Sequence, residues 1–292
     1  MRSFDYIESG KTLLTPHTTS LLAAIHEAKG RQSIQTTIRP DILGTLVAVA
    51  RIQSTDASNR IEGISTSDSR LNDLVSEKVT PRNRNEEEIA GYRDALSVIH
   101  ESHDYIPITP NVILQLHRDL FRHTPLTFAG HFKDSDNVII ERDAHGTSTV
   151  RFAPPSALVT PELIERACSA YTQAIRDGHT DPLLAIAMFI LDFTCIHPFN
   201  DGNGRMSRLL TLLMLYRNGY MVGKYISIEH LIEQSKSTYY EALAASTQGW
   251  DDNANDYAPF TNYLLGIILS ACKEFDEASI SRQAAERREH RE

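Results

Sequence analysis

Apolar residues recur three or four positions apart along most of this chain, which is the spacing of one face of an α-helix. Two helix starts are marked by Thr109-Pro110 and Asp181-Pro182, where a capping side chain precedes a proline suited to the first helical position. The pattern therefore predicts an all-α, mainly helical fold. The predicted helices cover residues 13–29, 40–50, 86–100, 111–121, 183–196, 205–218, 237–245 and 258–275.

The segment over residues 183–196 differs from the other predicted helices because it is apolar on nearly every side. A helix without a polar face is buried, so we expect this one at the centre of the fold. The residue before a proline disfavours the α conformation, and Pro198 directly follows His197. The helix is therefore expected to end near His197.

One region, between residues 130 and 155, departs from helical periodicity. Val138, Ile139 and Ile140 form a short β-prone run, a second run covers residues 149–152, and residues 143–146 between them have the composition of a turn. This order predicts a β-hairpin. Because a lone hairpin is only marginally stable in water, it must pack on helices or stay partly mobile.

Three polar segments stand out beside the predicted helices. Residues 54–69, after the second predicted helix, are rich in Ser, Thr and Asp. Residues 82–88 are charged and flanked by proline, which suits a surface connection. From Ser279 onwards the chain is highly charged, as in a frayed or solvated helix end.

Composition narrows the class of protein. A chain of 292 residues, 41% hydrophobic and 23% charged, is of globular type and long enough for one or two cores. The net charge of -9 disfavours binding to a phosphate backbone, so no nucleic-acid partner is expected. No apolar run reaches the ~20 residues of a membrane span, and the first residues lack a signal-peptide pattern. We therefore expect a soluble, cytoplasmic protein without a membrane partner.

The densest chemistry lies in the run HPFNDGNGRMSR, which extends from His197 to Arg208. The glycines of residues 202–204 allow successive N–H groups to point at one place, at the N-terminus of the next helix, where an anion is favoured. Arg205 and Arg208 are three residues apart, so both are predicted to project beside that place and hold phosphate oxygens. The run therefore predicts a polyphosphate site.

Two further side chains of the run are suited to chemistry at such a site. Asp201 is a natural ligand for Mg²⁺, which commonly uses one or two carboxylates together with substrate phosphates. His197 is suited to accept a proton near neutral pH. Each residue alone has an ordinary structural explanation, but the joint spacing favours a functional site.

This run resembles the signature of the Fic (Fic/DOC) family, HxFx(D/E)GNGRxxR. The resemblance includes residues 130–133 and 239–243, and covers roughly residues 86–272. It implies the mainly helical Fic fold with a small β-hairpin flap beside the active site. The implied division is an N-terminal helical region (1–85), a Fic domain (86–272) and a charged tail (273–292). Every defined position of the signature is matched, by His197, Phe199, Asp201, Gly202, Asn203, Gly204, Arg205 and Arg208.

The family's usual activity is transfer of AMP from ATP to a Ser, Thr or Tyr hydroxyl of a target protein. The resemblance then implies that His197 deprotonates this hydroxyl and that Asp201 binds Mg²⁺. Asn203 and the two glycine amides of the motif would hold the α- and β-phosphates. Arg205 and Arg208 would hold the β- and γ-phosphates.

The predicted hairpin also has a role in this resemblance. Its first strand, with Val138, Ile139 and Ile140, would be a flap that aligns the target chain by β-augmentation. A tyrosine pair near the adenine or ribose is a further implication, although such a pair on an amphipathic helix is also typical of partial core. The nucleotide site would be completed by Ile140, Glu141, Tyr239 and Tyr240.

An upstream segment, SNRIEG at residues 58–63, fits the family's inhibitory pattern (S/T)xxxE(G/N) through Ser58 and Glu62. Its position resembles the class with an inhibitory helix before the core. The resemblance implies that Glu62 pairs with Arg208 and removes the partner of the γ-phosphate. The enzyme would then be an adenylyltransferase held off at rest.

Three alternatives stay open at this stage. The transferred group could be another phosphate-containing group, or the reaction could run as hydrolysis of AMP from a modified protein, with Glu62 orienting water. The pocket could also belong to a non-catalytic nucleotide-binding regulatory module. A homodimer is compatible with the resemblance.

Overall fold

The computed structural model describes residues 2–38, 40–142 and 148–289, and the all-α prediction is confirmed over these ranges. Short 3₁₀ turns lie at His103–Tyr105 and Val222–Lys224. The charged end of the chain continues the last helix to Glu289. The α-helices are α1 Tyr6–Thr12, α2 Pro16–Ile38, α3 Pro40–Ile61, α4 Asp68–Val75, α5 Arg84–Ser102, α6 Pro110–Leu120, α7 Thr160–Asp177, α8 Pro182–Ile196, α9 Asn203–Arg217, α10 Ile228–Gln234, α11 Lys236–Thr247 and α12 Ala258–Glu289.

Helix α8 is the centre of the core, as its apolar sequence predicts. Its residues are buried apart from Pro182 and Thr194, and it packs against α7, α9, α11 and α12. One continuous apolar cluster runs from Tyr6 in α1 to Phe275 in α12. The N-terminal helices therefore share their core with the segment that contains the motif.

The end of α8 follows from its sequence. Asp181 caps the start, where its Oδ1 accepts a hydrogen bond from the N–H of Leu183 at 2.9 Å. At the other end His197 adopts a left-handed conformation with φ of +49°, and its N–H donates to the Phe193 carbonyl. Because Pro198 cannot continue the helix, the chain leaves here and re-enters helix at Asn203.

The strands predicted between residues 138 and 152 form an antiparallel pair, β1 Ile139–Arg142 and β2 Ser148–Phe152. Ile140 pairs with Val150, and the register shifts between Ile139 and Ile140. The predicted turn over residues 143–146 lies outside the described residues.

Part of the Ser-, Thr- and Asp-rich stretch over residues 54–69 belongs to helix α3. The helix continues to Ile61, and its polar residues Ser54, Ser58 and Asn59 are buried. Their side chains find protein partners: Ser54 Oγ donates to Glu229 at 2.8 Å, and Asn59 Nδ2 donates to the Thr55 carbonyl at 2.7 Å. A buried polar side chain is tolerated when it is hydrogen-bonded, so polarity here does not mean exposure.

The predicted surface connection over residues 82–88 is wrong beyond Asn83. Asn83 caps α5 by accepting a hydrogen bond from the N–H of Glu86 at 3.0 Å. Glu86 and Glu88 are then buried, because Arg70 and Arg205 supply their counter-charges. The carboxylates that indicated a solvated segment are therefore part of the interior.

A buried polar cluster joins the start of the chain to α8. Asp192 is fully buried, and its carboxylate lies 3.1 Å from the guanidinium of Arg2. Tyr6, Tyr257 and Trp250 also donate hydrogen bonds to this carboxylate, at 2.6 to 2.9 Å.

Among the described helices none is long and apolar enough to cross a membrane.

Candidate active site

A cavity of about 690 Å³ opens beside the motif, within the usual size of ligand pockets. Its walls come from five parts of the chain: the residue after α3, the end of α8, the motif loop with the start of α9, helix α11, and the strand pair. Its lining residues are Glu62, Ile139, Phe152, Thr194, Cys195, His197, Asn203, Gly204, Arg208, Ser237, Tyr239, Tyr240, Glu241, Leu243, Ala244 and Thr247.

The motif loop is closed by the side chain of Asn203. Its Oδ1 accepts a hydrogen bond from the N–H of Phe199 at 2.9 Å, and its Nδ2 donates to the Phe199 carbonyl at 2.8 Å. Both ends of the Asn203 amide are thus engaged by one residue of the loop. The resemblance assigned Asn203 to phosphate; in this structure its side chain is bound within the loop.

Buried aromatic side chains pack against the motif loop. Phe199 is fully buried and stacks on the imidazole of His117, with ring centroids 3.7 Å apart. The N–H of Gly130 donates to His117 Nδ1 at 2.9 Å, so Nε2 carries the proton and donates to the Asp201 carbonyl at 3.1 Å. Burial lowers the pKa of His117 to about 4, so this ring is neutral at pH 7.

Gly202 is required where the loop turns into α9. Its φ is +81°, and a Cβ there would lie 2.8 Å from the ring of Phe121. A side chain would meet both backbone strain and a collision. The glycine therefore allows the loop to pack closely against the ring of Phe121.

The imidazole of His197 lies on the pocket wall. Burial, and next the positive charge of Lys133, lower its pKa to about 4, while the Thr194 carbonyl and Glu62 act in the opposite direction. The imidazole is therefore unprotonated at pH 7. A neutral imidazole at the edge of a cavity is able to accept a proton.

Arg208 is almost fully buried, and helix α3 and the residue that follows it supply its partners. Its Nε donates to Ser58 Oγ at 2.8 Å, and its Nη2 donates to the Ser58 carbonyl at 2.8 Å and to Glu62 Oε1 at 2.7 Å. Burial acts to lower the pKa of Arg208, but Glu62 and nearby tyrosine hydroxyls outweigh it and raise the pKa. The cation is permanent and already paired.

Glu62 follows the last residue of α3, and its side chain is 32% exposed, toward the cavity. Burial acts to raise its pKa, but Arg208, Arg205 and Lys236 reverse this and lower it. Its Oε1 lies 2.1 Å from the place where a Cβ on Gly204 would stand. The carboxylate thus fills the space over the first turn of α9.

Arg205 has a different environment from Arg208. Its guanidinium is 1% exposed, 2.7 Å from Glu88, and 5.0 Å from the centre of the Phe121 ring. It does not line the cavity. The expectation that both arginines project beside the anion site therefore differs from the observed geometry, in which Arg205 holds α9 against α5.

Asp201 lies at the rim of the loop with a half-exposed side chain. Its Oδ1 accepts a hydrogen bond from the N–H of Gly202 at 2.6 Å, and its Oδ2 lies 3.4 Å from Arg84. The described residues contain no group of three or more His, Cys, Asp or Glu side chains arranged for a metal. A single accessible carboxylate fits a cation that takes most of its ligands from a phosphate substrate and water.

Comparison with known proteins agrees with the fold and the motif. The Fic/DOC family model matches residues 107–215. A Fido domain-containing protein of Dictyostelium discoideum is 37% identical over 141 residues, which make up 47% of this chain and 86% of that protein. The chain belongs to the Fic/DOC family.

Two other relatives of this Fic protein are more distant. A protein adenylyltransferase fic-1 of Caenorhabditis elegans is 27% identical over 207 residues, 68% of this chain and 34% of that protein. The chain thus spans about a third of the length of that relative. The crystal structure of a Fic family protein from Desulfovibrio desulfuricans G20 has a TM-score of 0.73 at 24% identity, covering 90% of this chain and 75% of that one, and it shows the fold.

The expected tyrosine pair of this Fic protein lines the cavity. Tyr239 is buried and Tyr240 half-buried, and their ring centroids are 5.2 Å apart. Ile139 lines it too, whereas Val138 is 52% exposed. The side chains of Ile140 and Glu141 lie outside the described residues.

Several residues around the Fic motif were missed by sequence reasoning. His117, Lys133 and Glu88 contact the loop or its arginines, yet they lie at least 60 positions before it. Lys133 ends the GHFK segment that resembles the family, which was the one available signal. Nothing in the local sequence distinguished His117 or Glu88.

Proposed function

We propose that this Fic-family chain is a protein adenylyltransferase that transfers AMP from ATP to a Ser, Thr or Tyr hydroxyl of a target protein. One observation supports this most strongly: neutral His197, the Gly204 turn and the cation of Arg208 line the same cavity. A base, an anion-binding helix start and a buried guanidinium are the groups that phosphoryl-type transfer requires.

In the proposed reaction His197 accepts the proton of the target hydroxyl. The hydroxyl oxygen forms a bond to the α-phosphorus, and the bond from that phosphorus to the bridging oxygen of the β-phosphate breaks. Pyrophosphate leaves and AMP stays on the target. Backbone N–H groups at the start of α9 stabilise the charge on the phosphates.

Asp201 is the residue proposed to hold Mg²⁺, which would neutralise phosphate charge when bound. Arg208 would bind the terminal phosphates once Glu62 has moved away. Arg205, buried against Glu88, would keep α9 in place and act on the nucleotide only indirectly.

The strand pair is proposed as the flap that receives the target. Ile139 and Phe152 line the cavity, so β1 lies next to the reacting groups. A target segment added to β1 as a further strand would bring its hydroxyl toward His197. Tyr239 and Tyr240 would form the wall near the adenine or ribose.

Autoinhibition by Glu62 is proposed from its ion pair with Arg208. A γ-phosphate and the Glu62 carboxylate would compete for the same cation, and the carboxylate also stands over Gly204. Nucleotide would therefore bind in an unproductive position until Glu62 is displaced. A bias of about 1.4 kcal/mol corresponds to a tenfold change in rate.

Hydrolysis of AMP from a modified protein is a second candidate. Glu62 and His197 line the same cavity, and the negative charge of Glu62 acts on the His197 imidazole. This placement suits a carboxylate that orients a water molecule. An AMP-modified target would then lose AMP with wild type and keep it with Glu62→Gly.

The proposed function is tested by incubating cell lysate with Mg²⁺ and α-labelled or γ-labelled nucleotides. Glu62→Gly should label proteins from α-labelled ATP at least tenfold more strongly than wild type, and not from γ-labelled ATP. Glu62→Gly/His197→Ala is the matched control and should bind ATP without transferring label. Binding without transfer in every variant would instead indicate a nucleotide-binding regulatory module.

A further inference from the structure

Lys133 lies just before the strand pair and is buried, with 3% of its surface exposed. Its Nζ donates to the carbonyl of Ile196 at 3.1 Å and to Asn137 Oδ1 at 3.1 Å. The Ile196 carbonyl belongs to the last residue of α8, where carbonyls lack a partner within the helix. The ammonium group thus caps the helix that ends at the proposed base.

The backbone of the same residue binds the other side of His197. The N–H of Lys133 donates to the Pro198 carbonyl at 2.8 Å. Four residues later Asn137 Nδ2 donates to the Phe199 carbonyl at 3.3 Å. The carbonyls of the two residues that flank His197, Ile196 and Pro198, are therefore both bound by Lys133.

This arrangement explains how His197 keeps a left-handed conformation that non-glycine residues adopt only at a cost. Lys133 fixes the carbonyl on each side, so the φ of +49° is held by the surroundings. Lys133 is also charged at neutral pH: burial lowers its pKa to about 8, and Asp136 acts in the opposite direction.

The charge has a second consequence for the imidazole. Two described charged groups act on His197, Lys133 and Glu62, and their effects are opposite. When Glu62 moves away from the cavity, as activation requires, the carboxylate that favours protonation is removed and Lys133 stays. The base is then more firmly neutral in the active form than in the inhibited form.

We propose that Lys133 is a positioning residue for transfer, which binds the backbone carbonyls of the residues on both sides of His197 and holds a buried cation at the end of α8. This proposal rests on the proposed transferase function, because it assigns Lys133 to the base of that reaction. Lys133 itself does not line the cavity, so it would act through His197 rather than on the nucleotide.

The first test measures the imidazole directly and needs no turnover. The pKa of His197 is followed by NMR of the histidine-labelled 292-residue chain, assigned with His197→Ala. Lys133→Met should raise this pKa, by about half a pH unit or more, because a nearby like charge is removed. Lys133→Arg keeps the cation and should leave the pKa close to that of wild type.

A matched control is Lys224→Met. Lys224 also donates to a backbone carbonyl, that of His100 at 3.1 Å, and burial, followed by the charge of Lys224, lowers the pKa of His100. This variant should move the titration of His100 and leave that of His197 unchanged. An unchanged pKa of His197 in Lys133→Met would overturn the proposal.

The second test uses transfer in the Glu62→Gly background. Lys133→Met should lower kcat about tenfold or more, leave the KM for ATP within about twofold, and move the acidic limb of the pH profile upward. A raised KM with unchanged kcat would overturn the assignment to His197. If Glu62→Gly alone transfers no label, the proposed function fails, while the NMR titration still decides the role of Lys133 at His197.

Discussion

Glu62 Oε1 lies 2.7 Å from Nη2 of Arg208, in the wall of the cavity that also contains His197. Glu62 directly follows α3 and Arg208 lies in α9, 146 positions later, and Ser58 Oγ accepts a hydrogen bond from Nε of the same guanidinium. Nε and Nη2 of Arg208 are therefore engaged by Ser58 and Glu62 in this structure. An anion that needs the Nη2 side of the guanidinium must first displace the Glu62 carboxylate.

The first prediction concerns Ser58. Ser58→Ala should raise transfer several-fold over wild type but less than Glu62→Gly, because one bond to Arg208 is lost while the ion pair remains. Loss of a hydrogen bond to a charged group costs about 1.5–3 kcal/mol, and the remaining ion pair between Glu62 and Arg208 offsets part of this loss. The measurement is labelling from α-labelled ATP. Ser65 is exposed, so Ser65→Ala is the control and should transfer label at the rate of wild type. If Ser58→Ala is no more active than this control, Ser58 does not help to hold Arg208 in the inhibited state.

Gly204→Ala tests the contact between Glu62 and the first turn of α9. The new methyl would stand where Glu62 Oε1 now lies, so the carboxylate must leave Arg208. We expect a loss of about 1–3 kcal/mol in the free energy of unfolding in wild type. In the Glu62→Gly background the same change should be neutral or stabilise by up to about 1 kcal/mol, because alanine is favoured in a helix. Urea unfolding measures both; equal losses in the two backgrounds would show that the collision is elsewhere.

His117 should make stability depend on pH. Its pKa is about 4 in the folded protein and near 6.5 when exposed, so the folded state favours the neutral ring. The resulting stability is fully present above pH 6.5 and is lost as the pH falls toward 4, by at most about 1.4 kcal/mol per pH unit. The difference in unfolding free energy between wild type and His117→Gln should shrink over this window. A difference independent of pH would mean that the ring is not buried neutral.

Glu88 should contribute to folding through Arg205. Glu88→Ala leaves a buried guanidinium without its counter-charge, which typically costs about 3–5 kcal/mol of unfolding free energy. Glu101→Ala, at an exposed position of the same helix, should change it by less than about 0.5 kcal/mol. Chemical denaturation measures both variants. The double variant Glu88→Met/Arg205→Met should recover most of the loss, since no uncompensated charge remains.

Local sequence signals predicted the parts of the fold that local physics determines. The apolar run of α8 and the proline after His197 placed the central helix and its end. The glycines of the motif identified the turn into α9, and the β-prone runs located β1 and β2. In each case the residues that determine the helix end, the turn or the strand are neighbours in the sequence, so their spacing is enough to predict it.

Features that local patterns did not predict depend on partners distant in the chain. The predicted helix over residues 40–50 continues to Ile61, and the partners of its buried Ser54 and Asn59, Glu229 and Arg205, follow more than 140 positions later. The spacing of Arg205 from Arg208 is helical, but its guanidinium pairs with Glu88 and does not line the cavity. The role of Lys133 depends on two carbonyls, which no side-chain pattern encodes.

The contact between Arg2 and Asp192 links the first residues of the chain to the helix that ends at the proposed base. Burial raises the pKa of Asp192, and Arg2 opposes that increase. A change that displaced Arg2 would remove the positive charge that pairs with this carboxylate inside α8. The effect would reach His197 through the helix itself, although Arg2 lies far from the motif in the sequence.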